Sequence, residues 1–256
     1  MQWQYKTMQK SLLTVDSNAK TVKGQKYGFM TGILYLAPVD ISGHQVCPMA
    51  KTAQCDKACL YTAGRGAMSS VQIARIKRAK SFFENRTEFM SIIVKDINRL
   101  VKRAAKKNMV PLVRLNGTSD IRWESVPVTQ NGVTYPNVMA LFPNVQFYDY
   151  TKLVNRKDIP ANYDLTFSYS GVLEFRPFVE KAIAAGMRIA AVFRKKSDIP
   201  AKFMGLECVD GDNTDIRHID PQGVIVALYA KGQAKKDSTG FVIDPAKKVF
   251  PIKLAA

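Results

Sequence analysis

Seven short apolar segments, set far apart along the chain, constrain the fold more than any other feature of this sequence. They are residues 28–36, 110–115, 145–150, 165–170, 188–193, 204–209 and 224–229. Near-continuous apolar strands joined by long connections are typical of parallel sheets with crossovers, because both faces of such strands are buried. We therefore predict an α/β protein built as a complete or partial (β/α) barrel with mostly parallel strands. A doubly wound open sheet is the alternative.

Helical patterns fill the longer connections. Residues 69–107 read as a helical segment, and the capping-box spacing of Asn85 and Glu88 predicts a break there into two helices. Residues 175–185 form a further predicted helix, with Gly186 at the position of a C-terminal cap. No repeat or linker divides the chain, so residues 1–256 are predicted to form a single domain. Its basic tail, from about Lys231, is predicted to be a loop and a terminal strand at 249–254.

Composition restricts the kind of protein. The sequence is 46% hydrophobic and 10% aromatic, which is too apolar for a disordered chain. It has no run of 18 apolar residues, so we expect no membrane span, and its start lacks the apolar core of a signal peptide. These features predict a cytoplasmic protein.

The charge is strongly positive and concentrated in one segment. The formal net charge is +17, and residues 75–107 contain eleven basic residues and three acidic ones. The basic residues are Arg75, Lys77, Arg78, Lys80, Arg86, Lys95, Arg99, Lys102, Arg103, Lys106 and Lys107. Because the apolar positions form a separate helical face, the charges should point outward and favour DNA or RNA. A solvated face without a partner is the alternative reading.

Three of the four cysteines lie in one loop, residues 40–66. Cys47, Cys55 and Cys59 follow the spacing C-x7-C-x3-C, and the absence of an export signal predicts reduced thiols. Three thiolates from one loop suit three irons of a [4Fe–4S] cluster and leave the fourth iron for another ligand. The loop follows the first predicted strand, a position that favours the cluster.

Other interpretations of the cysteines remain open. His44, three residues before Cys47, would complete a Cys₃His zinc site. Cys208, far away in sequence, would instead close a zinc Cys₄ site or a fully ligated cluster. The thiols are also small enough to serve only as buried apolar groups.

Polar residues follow the predicted strands, at the ends where parallel barrels carry their sites. Asn116, Gly117, Thr118, Ser119 and Asp120 follow the second strand, and their carbonyls and hydroxyls suit an ammonium group. Ser168, Ser170 and Arg194 follow later strands and suit a carboxylate, ribose or phosphate. We assign these eight residues to cofactor binding and assign no catalytic residue. The alternative for residues 116–120 is an Asx turn, which Asn-Gly favours. Glu124, Asp210 and Asp212 raise a second alternative, a metal-dependent hydrolase or nuclease.

Three stretches resemble a known family. The sequence from Cys47-Pro48 to Gly64-Arg65-Gly66, the stretch 114–120, and the stretch 209–212 with Asp220-Pro221 are similar to the gene-product-88-like proteins of phages and plasmids. This resemblance implies a mobile element in a bacterial host, and it brings no established activity.

The three loop cysteines and the strand order also resemble, more distantly, the radical S-adenosylmethionine iron–sulfur proteins, whose usual spacing is C-x3-C-x2-C. That second resemblance implies S-adenosylmethionine as a cofactor, bound through its amino and carboxylate groups to the open iron. It predicts an iron–sulfur enzyme acting on a nucleic acid or nucleotide. The alternative function is a non-catalytic nucleic-acid-binding protein of a mobile element with a structural zinc or iron–sulfur site.

Overall fold

A computed structural model of the protein describes residues 10–15 and 19–245. Within them, nine strands form one sheet and two form a separate hairpin. In chain order the strands are β1 (Leu13–Val15), β2 (Phe29–Leu34), β3 (Val110–Arg114), β4 (Val128–Gln130), β5 (Val133–Tyr135), β6 (Gln146–Thr151), β7 (Tyr163–Ser168), β8 (Ile189–Phe193), β9 (Lys202–Phe203), β10 (Leu206–Asp210) and β11 (Ile225–Tyr229). The α-helices are α1 (Ala19–Gln25), α2 (Val39–Ser42), α3 (Ser69–Glu84), α4 (Arg86–Ala105), α5 (Val138–Leu141) and α6 (Arg176–Ala184).

The order of strands across the sheet is β1-β2-β3-β6-β7-β8-β11-β10-β9. The seven strands from β2 to β10 in this order are parallel, whereas β1 and β9 pair antiparallel to their neighbours at the two ends. The carboxyl ends of the seven parallel strands therefore meet at one edge, which we call the carboxyl edge. β4 and β5 form the hairpin outside the sheet.

The predicted α/β class and the mostly parallel strands are confirmed, and all seven apolar segments form strands of the sheet. The sheet is not closed into a barrel, because its order begins at β1 and ends at β9 and these two strands do not pair. Antiparallel strands occupy both outer positions and so terminate the parallel array. From β1 to β8 the order in space follows the chain. It lacks the central reversal of a doubly wound sheet.

Two long helices follow the cysteine loop. The predicted break lies at Asn85, which ends α3 and precedes α4, although the Asn85 side chain makes no capping hydrogen bond. The apolar positions of α4 form its buried face, which includes Phe89, Ile93 and Ile97. Asp96, also buried, accepts hydrogen bonds from the backbone of β1 and so holds that edge strand against α4.

The main apolar cores lie on one face of the sheet. One core packs α3 and α4 against β2, β3 and β6, and the other packs α6 against β7, β8 and β11. Tyr163 and Phe167, four residues apart on β7, belong to the two different cores, so the strand alternation places both cores on the same face. The opposite face carries a smaller cluster that includes Leu112, Tyr148 and Ile216.

Among the described residues, no helix is both long and apolar enough to cross a membrane. The helix predicted at 175–185 is α6, and Gly186 follows its last turn with a φ of +66°, in the left-handed region expected of a glycine cap. The terminal strand predicted at 249–254 lies outside the described residues.

Candidate metal centre at the carboxyl edge

The cysteine loop, residues 40–66, crosses the carboxyl edge of the sheet. The amide of Asp120, after β3, donates to the carbonyl of Val46 at 2.7 Å. The hydroxyl of Ser170, after β7, donates to the carbonyl of Ala53 at 2.8 Å. These hydrogen bonds attach the loop to the ends of two strands that are not adjacent in the sheet. The loop therefore lies across the edge where the sequence predicts a site.

Each of the three thiols in this loop is half-buried and has a backbone polar contact. Weak contacts of this kind leave the sulfurs as the distinctive donors of the loop, since thiols are poor hydrogen-bonding groups. The contacts are Cys47 Sγ with the Thr118 carbonyl at 3.9 Å, Cys55 Sγ with the Ala50 carbonyl at 3.7 Å, and Cys59 Sγ with the Tyr61 amide, which donates to it, at 3.4 Å.

Electrostatic interactions link the three thiols. Burial raises the pKa of each thiol, and the Asp120 carboxylate raises the pKa of Cys47 further. Cys59 and Cys55 also raise the pKa of Cys47, and Cys55 raises that of Cys59, so the three groups are close enough to repel one another as thiolates. The ammonium of Lys152 acts in the other direction, lowering the pKa of both Cys47 and Cys55.

Lys152 is the first residue after β6 and is buried, with 8% of its surface exposed. Its ammonium donates to the carbonyl and hydroxyl of Ser168 at 3.0 and 3.1 Å and to the carbonyl of Tyr169 at 3.4 Å. The rings of Phe175 and Phe241 lie 5.1 and 4.9 Å from the ammonium nitrogen. A positive charge is thus fixed beneath the cysteine loop by the end of the neighbouring strand and two aromatic rings.

The predicted alternative ligands lie elsewhere. The His44 ring stacks on Phe83, with centroids 4.7 Å apart, and its Nε2 lies 3.4 Å from a carboxylate oxygen of Glu84 on α3. Cys208 lies on β10, and burial is the cause that raises its pKa, in contrast to the mutually interacting loop thiols. Neither residue is brought into the group formed by the three loop cysteines.

The donor set distinguishes between the two metal hypotheses. Within the described residues, no three His, Cys, Asp or Glu side chains lie close enough together to hold a metal ion. Sulfurs that share one zinc ion lie about 3.8 Å apart, given tetrahedral geometry and Zn–S bonds near 2.3 Å. The ligands of a four-iron cluster bind separate irons and are more widely spaced. Three neighbouring thiols beside one buried ammonium fit the cluster better than a zinc ion.

The segment 116–120 is held mainly by Asn116, which is 2% exposed. Its amide oxygen accepts from the Ser119 hydroxyl at 2.8 Å, the Ile121 amide at 2.9 Å and the Trp123 indole at 3.0 Å. Its amide nitrogen donates to the Ile121 carbonyl at 2.9 Å. The side chains of Asn116 and Ser119 therefore stabilise a turn, as the alternative interpretation predicts.

Gly117 and Thr118 pack this turn against the chain after β2. A Cβ on Gly117 would lie 2.6 Å from the carbonyl oxygen of Leu34, so glycine is required by the neighbouring backbone. The Thr118 hydroxyl donates to the carbonyl of Leu36 at 2.7 Å. Both residues lie beside the cysteine loop, and a cofactor-binding role for them stays a prediction.

Asp120 links the turn to β6. One carboxylate oxygen accepts from the Thr151 hydroxyl at 2.8 Å, and the other accepts from the Lys152 amide at 2.7 Å. The guanidinium of Arg156 lies 3.6 Å from the same carboxylate. Burial raises the pKa of Asp120, and these hydrogen bonds and cations oppose that effect. The residue serves as a junction between β3, β6 and the cysteine loop.

The remaining predicted cofactor residues also have partners within the protein. Ser168 accepts a hydrogen bond from Lys152, and Ser170 holds Ala53 of the cysteine loop. Arg194 donates to three backbone carbonyls in the basic tail that follows β11. Ser168 and Ser170 thus lie at the candidate centre, whereas Arg194 organises the tail. Their role as cofactor ligands stays a prediction.

The acidic residues of the hydrolase alternative are not brought together. Glu124 is buried and forms an ion pair with Arg156. Asp212 forms an ion pair with Lys231 and accepts from the backbone of β11. Asp210 accepts from the Asp212 amide in a turn. Each carboxylate therefore has a partner that accounts for it.

The basic segment 75–107 is exposed over most of its length, with one exception. Arg75 is 7% exposed and donates to the Tyr61 carbonyl, with its guanidinium 4.7 Å from the centre of the Tyr35 ring. Its expected outward orientation is therefore wrong, because it holds the end of the cysteine loop instead. A shallow surface groove of about 400 Å³ lies on α4, lined by Lys95, Asn98, Arg99 and Lys102. The exposed basic residues are Lys77, Arg86, Lys95, Arg99, Lys102, Arg103, Lys106 and Lys107.

Sequence reasoning missed Lys152 as part of the site. The residue follows a strand that ends in the polar sequence 148–152, and a lysine directly after a buried strand at the carboxyl edge was the available signal. It also missed Arg156, which joins Asp120 and Glu124. Nothing in the local sequence distinguishes Arg156 from the exposed basic residues.

Comparison with known proteins identifies a family. The family described as gene product 88 matches residues 10–245, which include every strand and helix described above. No curated protein and no solved structure matches the chain. Because the match covers most of the sequence, the chain belongs to the gene product 88 family.

Proposed function

We propose that the protein is an iron–sulfur enzyme in which Cys47, Cys55 and Cys59 bind a [4Fe–4S] cluster at the carboxyl edge. The observation that carries the proposal is that three thiols of one loop interact with one another and that a buried ammonium, Lys152, compensates the charge of two of them. Cys59 also accepts the Tyr61 amide, a contact that favours thiolate over thiol.

The proposal includes chemistry of the radical S-adenosylmethionine type. Three protein thiolates leave one iron open for the amino and carboxylate groups of that cofactor. When bound, the cluster supplies one electron to the cofactor's sulfonium group. The carbonyl of Thr118, 3.9 Å from Cys47 Sγ, supports a role for the backbone of residues 116–120 in receiving the cofactor's ammonium group. The consecutive order from β2 to β8 supports a partial barrel as the scaffold.

The experiment is anaerobic purification and reconstitution, followed by analysis for iron, sulfide and zinc. We expect about four irons and four sulfides per chain, the content of one four-iron cluster. The EPR spectrum of the reduced protein should change when S-adenosylmethionine is added. One zinc and no iron would disprove the iron–sulfur proposal. A cluster whose spectrum ignores S-adenosylmethionine would disprove the cofactor assignment alone.

Cysteine variants assign the ligands. Cys47→Ser, Cys55→Ser and Cys59→Ser should each lower the iron content, because serine replaces a cluster thiolate poorly. Cys208→Ser is the matched control, since this thiol lies on β10 outside the loop group, and it should keep the wild-type iron content. Equal loss in all four variants would contradict the assignment.

We also propose DNA or RNA as a partner of the exposed face of α4. Lys95, Arg99, Lys102 and Lys106 recur at helical spacing on this exposed face. Replacing these four residues with glutamate should weaken binding and reduce the salt dependence of the association constant. Lys181→Glu with Lys202→Glu, exposed elsewhere, is the control. Unchanged affinity in the four-residue variant would contradict this partner site.

The same measurements decide between the two functions that fit this surface. Nucleic-acid binding that persists in the three cysteine variants, with no turnover in the reconstituted protein, would favour the alternative of a non-catalytic binding protein of a mobile element. Turnover that requires both the cysteines and S-adenosylmethionine would favour the enzyme.

A further inference from the structure

Lys152 carries a charge in an environment that disfavours it. Burial lowers the pKa of its ammonium. Removing an ammonium from water is costly, and a buried lysine that only fills space is readily replaced by an apolar side chain. The position after β6 nevertheless holds a lysine whose hydrogen bonds and flanking rings keep the ammonium in one place. The charge therefore calls for a partner of opposite sign.

The negative partners of Lys152 are the groups of the candidate centre. Cys55, Asp120 and Cys47 are the groups that favour its charged form. Asp120 is already occupied by the Thr151 hydroxyl and the Lys152 amide, and Arg156 lies close to it as a second cation. The two thiols, in contrast, have weak backbone contacts and no comparable neutralisation.

The ammonium acts on these thiols through its charge and not as a direct ligand. Its three N–H groups have partners at the end of β7, namely the Ser168 carbonyl, the Ser168 hydroxyl and the Tyr169 carbonyl. An ammonium has three donors, so this arrangement uses them all. Lys152 is thus held by β7 while its field extends to the cysteine loop.

We propose that Lys152 is a positioning residue that supplies the fixed positive charge required for the three cysteines to hold an anionic iron–sulfur cluster. The inference rests on the proposed function, because it assigns a residue that acts on that cluster. It also assigns Ser168 a new role as the residue that anchors Lys152, in place of direct contact with a cofactor.

The test compares variants that separate charge from hydrogen bonding. Lys152→Arg keeps the charge, Lys152→Gln keeps a donor without the charge, and Lys152→Met keeps neither. Lys181→Met, an exposed lysine on α6, is the control. The readouts are iron and sulfide per chain after anaerobic reconstitution, and the reduction potential followed by EPR. Circular dichroism of each variant establishes that it is folded.

We expect Lys152→Met and Lys152→Gln to bind the cluster about 10- to 100-fold more weakly, the effect typical of losing a group that supports metal ligands. Any cluster they retain should have a lower reduction potential, because the lost cation favoured the more negative reduced state. Lys152→Arg should remain close to wild type. If Lys152→Met does not fold, the comparison of Lys152→Gln with Lys152→Arg carries the test.

The possible failures are distinguishable. Wild-type occupancy and potential in Lys152→Gln would overturn the inference about Lys152 while leaving the cluster proposal intact. Loss in Lys152→Arg as severe as that in Lys152→Gln would also overturn it, because the role would then depend on shape and not on charge. Wild-type protein that assembles no cluster would overturn the proposed function, and with it this inference.

Discussion

The turn at residues 116–120 and the cysteine loop lie side by side at the carboxyl edge, yet their polar atoms are used very differently. In the turn, Asn116 alone makes four hydrogen bonds, and Thr118, Ser119 and Asp120 each bond to a neighbouring segment. In the cysteine loop, the three sulfurs have weak backbone contacts and repel one another when ionised.

This difference separates polar residues that build the edge from those available for chemistry. Buried polar groups that bond to one another stabilise the fold and lose their capacity to bind a ligand. Groups brought together without strong partners contribute little to stability. We therefore expect substitutions in the turn to act mainly on folding and substitutions in the cysteine loop to act mainly on metal binding.

The largest expected loss of stability follows from Asn116→Ala. The substitution leaves the Ser119 hydroxyl, the Ile121 amide and the Trp123 indole without their acceptor, and each buried orphan costs about 1 to 3 kcal/mol. We expect the free energy of unfolding, measured in urea, to fall by about 3 to 5 kcal/mol. Asn98→Ala on α4, where the side chain is exposed, is the control. Similar losses in both variants would contradict the comparison.

The next effect concerns Asp149, whose carboxylate accepts from the amides of Leu115 and Asn116 at the start of the turn. Burial raises its pKa from 3.8 to about 7. Between pH 4 and 7 the folded protein therefore holds a proton that the unfolded chain has lost, so the contribution of this group to stability falls as the pH rises. From pH 5 to pH 8 the decrease is about 2 to 3 kcal/mol.

Asp149→Asn removes this titration and should flatten the dependence of stability on pH by that amount. The measurement is urea unfolding of both proteins at pH 5 and pH 8. Asp198→Asn, a partly exposed residue outside this network, provides the control. An unchanged difference between the two pH values in Asp149→Asn would show that this carboxyl does not titrate in the window.

Gly117→Ala should destabilise the protein by about 2 kcal/mol, because the added Cβ would lie 2.6 Å from the Leu34 carbonyl oxygen and backbone cannot move aside easily. The control is Gly24→Ala in α1, where the nearest atom is the end of the Ile216 side chain at 3.2 Å. Thermal unfolding of the two variants tests the difference. Equal transition temperatures would mean that the strand neighbour yields to the methyl group.

The smallest effect on stability is expected in the cysteine loop. Without metal, Cys47→Ser should change the free energy of unfolding by less than about 1 kcal/mol, since the thiol is half-buried and its hydrogen bond is weak. Urea unfolding of iron-free protein measures this change. A loss as large as that of Asn116→Ala would erase the distinction between the two regions.

Much of the fold follows from local pattern. The seven apolar segments form strands because continuous apolar runs can be buried on both faces, and α4 forms where its apolar residues recur at helical spacing. β1, β9 and the β4–β5 hairpin escaped prediction because strands of two or three residues carry no recognisable alternation. The antiparallel ends of the sheet, and hence its failure to close, depend on two of these short strands.

The candidate site was predictable only in part, for a different reason. Cys47, Cys55 and Cys59 are neighbours in sequence, so their grouping was visible as spacing. The position of Lys152 beneath them depends on β6 lying two strands from β2, and no local signal encodes that separation. The turn residues were recognisable as polar, but their hydrogen-bond partners, such as Trp123, depend on how the chain returns after the strand.

The order of the last strands has a consequence for the synthesis of the chain. β11 separates β8 from β10 in the sheet, although it follows both in sequence. While the protein emerges from the ribosome, β10 is complete before the strand that will pair with it exists. Residues 202–210 therefore have no place on the growing sheet until Ile225–Tyr229 has been made. One half of the sheet, from β1 to β8, is free to form during translation, and the other half must wait for its final parallel strand.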